Sequence, residues 1–561
     1  MQLRHLGVQH FRGIASLQWD VPGGAICLIG PGDSCKTTIL DAVQLVLGGH
    51  WSAQIHDHDF HQRDLSTPIE IDATVTGLPP ALIADERFGL QLRGWNLDGT
   101  LHDEPEDADE LALTIRFTVD DSLEPSWLAI TERDPEGKPV SWRDRQRLGV
   151  ARVGAYVDRD FLWQRGSPLA RLTEEVDQVD RTLADAHRLA RAAIQEADLT
   201  MLEEPVRQAR EGAVELGAGH LADSLHPALD SGASKARLGL HSSDIPLASF
   251  GLGSRRLASL GLQLADAGPT ALLLLDELEH ALEPFRLRHL IGTLRQRIDD
   301  PDLHPTQLLC TTHSSIAVEH FDAPQLNVVR RDVDGSVTVR AVPAVPDDLQ
   351  RIARKAPETF LARRILLCEG STELGMCLVL EAVLTTPWAH VGATLAKGSG
   401  SEAAARAQHF NDLGYEVALL VDSDVLISPS AAELAAAGVK VVQWDGDSAT
   451  EQRLFADLPL DGVAQLLDRL ADLKGDVVLV ELRAELGIDR EVGTPAEWAP
   501  RHVPEEVLRE VATRLVTERG WLKSIPAGEC AGAVLLAHWE TIEGTDLHTK
   551  LDMFLRWPSG G

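Results

Sequence analysis

The chain has 561 residues, 44% of them hydrophobic, and a formal net charge of -34 at pH 7. That length is too great for one hydrophobic core, so roughly two to four domains are expected. No apolar run approaches the roughly 18 residues of a membrane helix, and Met1-Gln-Leu-Arg-His lacks the apolar core of a secretory signal, so the expectation is a cytoplasmic protein with no membrane partner.

In chain order, the first predicted strand is Ala25 to Gly30. The loop Gly30-Pro-Gly32-Asp33-Ser34-Cys35-Lys36-Thr37-Thr38 follows, and then a helical pattern from Ile39 to Leu47. Strand, loop and helix in this order suit a phosphate-binding loop. Backbone N-H groups and the helix N-terminus cradle phosphates, Lys36 reaches the β and γ oxygens of ATP, and the Thr37 hydroxyl binds Mg²⁺. One position departs from the pattern, because Cys35 stands where the usual residue before the lysine is glycine. If that position needs a positive φ, the cost is about 1 to 2 kcal/mol. Cys35 reads first as a small residue tolerated in the loop; the alternative is a thiol whose pKa is lowered by the helix N-terminus and Lys36 and whose oxidation would switch off nucleotide binding.

From Ser167 to about Gly219 the pattern reads as helix, with Leu169, Leu172, Val176, Val179 and Leu183 at three- and four-residue intervals. Such a stripe suits either an internal helical hairpin or a dimerisation arm. Next, Ser249-Phe-Gly251-Leu-Gly253-Ser254-Arg-Arg256 can open a helix that offers its N-terminal dipole to phosphate. The run Ala271-Leu-Leu-Leu-Leu ends in Asp276 and Glu277, the first placed to hold Mg²⁺ through water and the second to polarise the attacking water. A further strand, Leu308-Leu-Cys-Thr-Thr, ends at His313, placed to contact the γ-phosphate. Four such signals in order, with Glu279-His-Ala-Leu-Glu-Pro284 after the acidic pair, resemble the ATP-binding-cassette heads of chromosome-maintenance and RecF-like ATPases. In that group the signature segment of one subunit completes the ATP site of another, so the resemblance implies a homodimer or higher homo-oligomer.

After about Pro343 a basic stretch leads to the strand Arg364 to Cys368, followed by Glu369-Gly370-Ser-Thr-Glu373. A second apolar run, Leu419-Leu-Val, ends in Asp422-Ser-Asp424. Carboxylates directly after buried parallel strands lie where open α/β sheets place their ligands, and their hard oxygens suit Mg²⁺. Two such ions can activate a water and stabilise the leaving oxygen of a phosphodiester. The segments Leu460 to Leu473 and Pro504 to Arg519 read as amphipathic helices that cover this sheet.

Glu369-Gly370-x-x-Glu373 with Asp422-x-Asp424 resembles a Toprim domain. Topoisomerase chemistry on that fold needs a nucleophilic tyrosine, and the chain has only Tyr156 and Tyr415, the latter at a packing position before the Asp422 strand. The six cysteines (Cys27, Cys35, Cys310, Cys368, Cys377 and Cys530) contain no Cys-x-x-Cys pair, which argues against a disulfide framework and against the zinc module of related primases and recombination mediators. A cassette ATPase fused to a Toprim domain resembles the OLD (overcoming lysogenisation defect) family of ATP-dependent endonucleases, and most closely the subfamily that includes the nuclease subunit of the Gabija anti-phage system.

The resemblance implies an α/β chain: an ABC-type ATPase head with a mixed sheet, P-loop and helical insert, then a Toprim domain with a parallel sheet and flanking helices. The boundaries expected are 1-163 and 236-345 for the head, 164-235 for a dimerisation insert and 346-561 for the nuclease domain. Carried over by motif, Asp422, Asp424, Glu369 and Glu373 are metal ligands, with Glu369 also a candidate general base. Glu451 is the choice for a second-metal acid over Asp445 and Asp447, and Lys523 is the late lysine that neutralises charge on the reacting phosphate. The implied cofactors are ATP and Mg²⁺ or Mn²⁺; the implied partners are DNA and, for the Gabija-like subfamily, a UvrD-like helicase. The acidic net charge opposes broad DNA contact. It leaves Arg255-Arg256, Arg330-Arg331, and the stretch Arg351 to Arg364 with Arg354, Lys355 and Arg363 as candidate basic patches, and keeps open a RecF-like DNA-binding ATPase with an idle Toprim domain.

Overall fold

The computed structural model describes residues 1–49, 53–96, 98–154, 157–163, 167–172, 185, 188–189, 239–242, 245–267, 272–300, 306–344, 348–488, 495–498 and 503–560. The expected helical insert lies outside them apart from a short helix, Pro168–Arg171, and a few isolated residues; so does Tyr156.

The N-terminal elements are β1 (Gln2–Phe11), β2 (Ile14–Asp20), β3 (Gly24–Ile29), α1 (Lys36–Leu47), β4 (Ile69–Thr76) and β5 (Glu110–Val119). An antiparallel sheet runs β2-β1-β4-β5 and continues through short strands Arg93–Trp95 and Leu101–His102. Ile69, Ile71, Ala73 and Val75 are fully buried on β4 and belong to one apolar cluster with Ile39, Val43 and Val46 of α1. This is the period-2 burial that lets an antiparallel sheet back a helix.

A second sheet collects strands from both ends of the first 345 residues. It comprises β6 (Val150–Val153), β7 (Leu272–Leu275), β8 (Gln307–Thr311), β3, β9 (Leu326–Arg331) and β10 (Val337–Ala341), in the order β6-β7-β8-β3-β9-β10. All neighbours are parallel except β9 and β10. Leu272 to Leu275 are buried on both faces, which is why β7 reads as an unbroken leucine run rather than an alternation. Helices α2 (Leu252–Ala267) and α3 (Pro284–Asp299) flank β7 in sequence, and Leu260, Leu287, Ile291 and Leu294 share a core with this sheet.

The third sheet comprises β11 (Arg364–Cys368), β12 (Ala393–Lys397), β13 (Glu416–Val421) and β14 (Lys440–Gln443), ordered β12-β11-β13-β14 and wholly parallel. Its helices are α4 (Ser371–Leu380), α5 (Ala403–Asp412), α6 (Thr450–Asp457), α7 (Leu460–Lys474), α8 (Glu505–Arg519), α9 (Ile525–Ala537) and α10 (Asp546–Arg556). The two faces of β11 enter different cores. Leu366 and Cys368 join a cluster with Leu466, Leu470, Leu515 and Leu551, as expected of α7 and α8. Ile365 and Leu367 join a cluster that continues through Phe360 and Leu349 to Val328 and Ile29 of the nucleotide-loop sheet. That continuity was not expected from the sequence, which read the stretch after Pro343 as a basic leader.

The candidate basic patches are used only in part by this packing. Arg255 pairs with Asp158, and Arg256 is 5% exposed. Arg330 lies 3.9 Å over the Tyr415 ring, Arg351 pairs with Glu402 at 3.6 Å, and Arg363 donates to Gly32 O at 3.4 Å. Arg351, Arg354, Lys355 and Arg363 nevertheless stay exposed, so the stretch from Arg351 to Arg364 keeps a basic face while Arg256 and Arg330 turn inward.

Candidate functional site

The nucleotide loop turns from β3 into α1 with Cys35 in the left-handed region, at φ 71 and ψ 19. The positive φ anticipated for that position is present. The lowered thiol pKa is not: burial pushes the Cys35 thiol up, outweighing the nearby Arg331 and Lys36 charges, so the thiolate switch loses its chemical basis. Lys36 is 5% exposed and its Nζ donates to Gly30 O (3.0 Å), Pro31 O (2.8 Å) and Ser34 Oγ (3.3 Å). Burial lowers its pKa to about 8. Held by neutral acceptors alone, this ammonium is primed for an anion.

Thr37 Oγ1 donates to Asp276 Oδ1 at 3.0 Å, and Thr311 Oγ1 donates to the same oxygen at 2.7 Å. The loop hydroxyl and the acid at the end of β7 thus meet, as parallel pairing of β7, β8 and β3 requires. Glu277 has φ 47, and its N-H donates to Thr311 Oγ1 at 2.8 Å. His313 lines the same cleft as Asp33, Ser34, Cys35, Lys36, Thr37 and Thr38, with its pKa lowered first by burial and then by Lys36. Gly253 and Ser254 do not line this cleft. Ser254 Oγ accepts from Arg286 at 3.2 Å, and a Cβ at Gly253 would strike Ala281 O.

Several contributors were not singled out for these roles from the sequence. Arg256 donates to the carbonyls of Asp276, Glu277 (2.7 Å) and His280 (3.0 Å), bracing the acidic pair from α2. Glu279 accepts from His313 N (2.8 Å) and Thr312 Oγ1 (2.6 Å), bracing the histidine. The only sequence signal was their proximity to the quoted motifs.

At the C-terminal edge of the third sheet the acids gather. Glu369 Oε2 accepts from Asp422 N at 2.8 Å, a contact made possible because β11 and β13 are paired neighbours. Glu373 is 5% exposed and caps its own helix, accepting from Gly370 N at 2.9 Å. Asp422 Oδ1 accepts from Thr450 N (2.9 Å), Thr450 Oγ1 (2.7 Å) and Trp444 Nε1 (3.0 Å). Asp424 is exposed. Burial, then the neighbouring carboxylates, raise the pKa of Glu369, Asp422 and Glu451, and push Glu373 up to about 7. Glu451, 7% exposed on the first turn of α6, lies in the field of Asp422 and Asp424. Of its rivals, Asp445 pairs with Lys550 at 2.9 Å, and Asp447 is exposed.

Lys523 reaches this edge because two helices pack through glycines. A Cβ at Gly375 of α4 would strike Ile525 O, one at Gly528 of α9 would strike Thr372 O, and Thr372 Oγ1 donates to Leu522 O at 3.0 Å. The residue before α9's cap is thereby set beside the start of α4, where the Lys523 charge opposes the rise in the Glu451 pKa. Thr450 and Trp444, which hold Asp422, were not anticipated. As placed, these carboxylates are directed at protein donors, and among the described residues no three His, Cys, Asp or Glu groups form a set that would hold an ion.

Residues 25–319, just over half of the chain, match the family described as AAA domain, putative AbiEii toxin, Type IV TA system. The chain belongs to this AAA-domain family. A curated relative, the OLD nuclease of Thermus scotoductus, is 27% identical in an alignment 414 residues long that covers 66% of this chain and 71% of the relative. It bears the name of the family that the motifs of this AAA-domain chain resemble. Two solved structures are also similar. The SmcHead bound to the C-winged helix domain of ScpA has a TM-score of 0.35 at 15% identity, covering 62% of this chain and 100% of that one. The Smc head domain with an extended coiled coil, bound to the C-terminal domain of ScpA derived from Pyrococcus furiosus, has a TM-score of 0.34 at 13% identity, covering 62% and 99%. No helix among the described residues is long and apolar enough to cross a membrane.

Proposed function

We propose that this chain is an ATP-regulated, divalent-metal-dependent DNA endonuclease whose Toprim-type edge hydrolyses phosphodiesters, in phage defence or DNA processing. The observation that carries the reading is the gathering of Glu369, Glu373, Asp422 and Glu451 at one parallel-sheet edge, with the Lys523 charge beside them. The AAA domain and the OLD nuclease relative support the pairing of ATPase with nuclease. The organisation that goes with it is an ATPase head in 1–163 and 236–345, an insert in 164–235 that joins two copies, and a nuclease domain in 346–561. A helicase partner remains part of the Gabija-like form of this reading.

The donor set fits Mg²⁺ or Mn²⁺ in chemistry: four clustered carboxylates, each disfavoured as an anion by burial or by the others, gain from a hard cation. Holding one requires the carboxylates to exchange protein donors for the ion. Asp422, Asp424, Glu369 and Glu373 would hold one ion and Glu451 a second. The metal would supply activation of a water and charge neutralisation at the phosphate. The chain's own contribution is positional. Thr450 and Trp444 fix Asp422, Asp422 N-H fixes Glu369, and Lys523 adds a positive charge at the acidic edge for the reacting phosphate. Glu369 would serve as a ligand or as the base that takes the water's proton. In the nucleotide cleft, Lys36 and His313 face the phosphates, while Gly253 and Ser254, which do not line it, serve the cleft of a second copy.

The test is nicking of supercoiled plasmid with Mg²⁺ or Mn²⁺, with and without ATP. Loss of nicking in Glu369→Gln and Lys523→Ala protein that still binds ATP supports the reading; undiminished nicking by Glu369→Gln rejects it. The net charge of -34, and an acidic edge in which no three described carboxylates form an ion-holding set, favour a second reading, a DNA-binding ATPase with an idle acidic domain. ATP-dependent, salt-sensitive DNA binding without cutting under either metal selects it.

A further inference from the structure

We propose that Arg331 is a phosphate-contacting residue of the nucleotide cleft, a second cation facing the same polyphosphate as Lys36. Its place follows from register. Strand β9 runs parallel to β3 with Val328 paired to Ile29, so Arg330 and Arg331 extend alongside the start of the loop at Gly30. Successive strand residues point to opposite faces. Arg330 takes the inner face, stacking on Tyr415 and donating to Ala362 O at 3.3 Å. Arg331 takes the other and lines a cleft of about 390 Å³ together with Lys36, Thr37, Thr38 and His313.

The Arg331 side chain is oriented. Its Nε donates to Gly13 O at 2.6 Å, in the turn between β1 and β2. That turn closes tightly on the loop, since a Cβ at Gly13 would lie 2.7 Å from Cys35 Sγ and 3.7 Å from Arg331 Nε. With Nε committed, the guanidinium plane is fixed and its outer nitrogens remain for an anion, the forked geometry that suits phosphate. Two acids temper the charge: Asp334, whose carboxyl feels Arg331, and Asp33 on the loop itself. Lys36 sits on the same cleft bonded only to neutral oxygens. Arg331 and Lys36 therefore present two cations to one ligand. The sequence had placed Arg331 with Arg330 in a DNA-binding patch, a use that the inward turn of Arg330 rules out for the pair.

The inference rests on the cleft being the ATP site, so the experiment separates the two. ATP and adenosine are titrated by calorimetry into full-length wild-type, Arg331→Met and Arg331→Lys protein with Mg²⁺, and the urea midpoint of each is recorded. The expected result is a ten- to thirtyfold loss of ATP affinity in Arg331→Met, a smaller loss in Arg331→Lys, and unchanged adenosine binding. ATP affinity within twofold of wild type in folded Arg331→Met overturns the proposal. So does a loss shared equally by adenosine and matched by a fall in the urea midpoint, because Arg331 is then only a brace for the Gly13 turn. Wild-type protein that binds no ATP, while still nicking plasmid, overturns both this inference and the nucleotide assignment of the cleft, but leaves the nuclease reading standing.

Discussion

Removing the Asp422 side chain separates the structural from the chemical role of the acidic edge. In Asp422→Ala, Oδ1 is lost to three donors: Thr450 N at 2.9 Å, Thr450 Oγ1 at 2.7 Å and Trp444 Nε1 at 3.0 Å. Trp444 Nε1 retains Thr450 Oγ1 at 3.0 Å and the Thr450 hydroxyl retains Glu373 as a partner, so the true orphan is the backbone N-H of Thr450, which is fully buried. Each unsatisfied buried donor costs about 1–3 kcal/mol. Against this stands a relief, because burial already disfavours the ionised Asp422, as its raised pKa shows. The net expectation is a destabilisation of about 1–3 kcal/mol. Asp422→Asn keeps the acceptor oxygen and discards the buried charge, so it stays within about 1 kcal/mol of wild type. Asp424 is exposed, and Asp424→Ala stays within about 0.5 kcal/mol. Urea unfolding followed by tryptophan fluorescence, in EDTA at pH 8, reads all three. Equal stability of Asp422→Ala and Asp424→Ala refutes the reasoning, as does an Asp422→Asn protein that falls as far as Asp422→Ala.

Three further outcomes follow from the same geometry. Glu373, with a pKa pushed from 4.5 to about 7, favours the fold when protonated; that contribution is complete below pH 4.5 and lost as pH rises through 7. Glu373→Gln, measured metal-free, should therefore gain up to about 3 kcal/mol at pH 8 and nothing at pH 4.5, and a gain independent of pH counts against it. A double-mutant cycle of Arg330→Met and Tyr415→Leu should give a coupling of about 1–2 kcal/mol, reflecting a desolvated cation over a ring; additivity within about 0.3 kcal/mol would dismiss that contact. Cys35→Gly should raise the thermal midpoint by an amount equivalent to about 1 kcal/mol, because glycine adopts the left-handed φ of 71 freely, and a lowered midpoint would show that the thiol's packing outweighs its strain.

What the sequence disclosed and what it hid have physical causes. Leu272 to Leu275 and Arg364 to Cys368 were readable as strands because parallel strands covered on both faces carry uninterrupted apolar runs. The phosphate loop was readable because its residues are contiguous. Glu451 and Lys523 were reached only through the family resemblance, since their neighbourhood depends on α4 and α9 closing through Gly375 and Gly528, two glycines far apart in sequence with no local signature. Charge was legible but its destination was not. Arg330 and Arg331 look like one surface patch in the sequence, yet Arg330 packs on Tyr415 while Arg331 stays exposed and lines the loop cleft. The reactive-thiol alternative for Cys35 loses its basis in the same way, because burial outweighs the neighbouring charges at its pKa, which leaves the preferred reading of a residue tolerated in the loop.

The most direct test of an acidic edge that cuts DNA is plasmid nicking by Asp424→Ala beside wild type, since this exposed carboxylate can be removed with little structural consequence. Wild-type protein with Mg²⁺ or Mn²⁺ should convert supercoiled plasmid to nicked or linear forms, while Asp424→Ala, equally stable and equally able to bind ATP, should leave it intact. Nicking by Asp424→Ala at the wild-type rate would contradict the account.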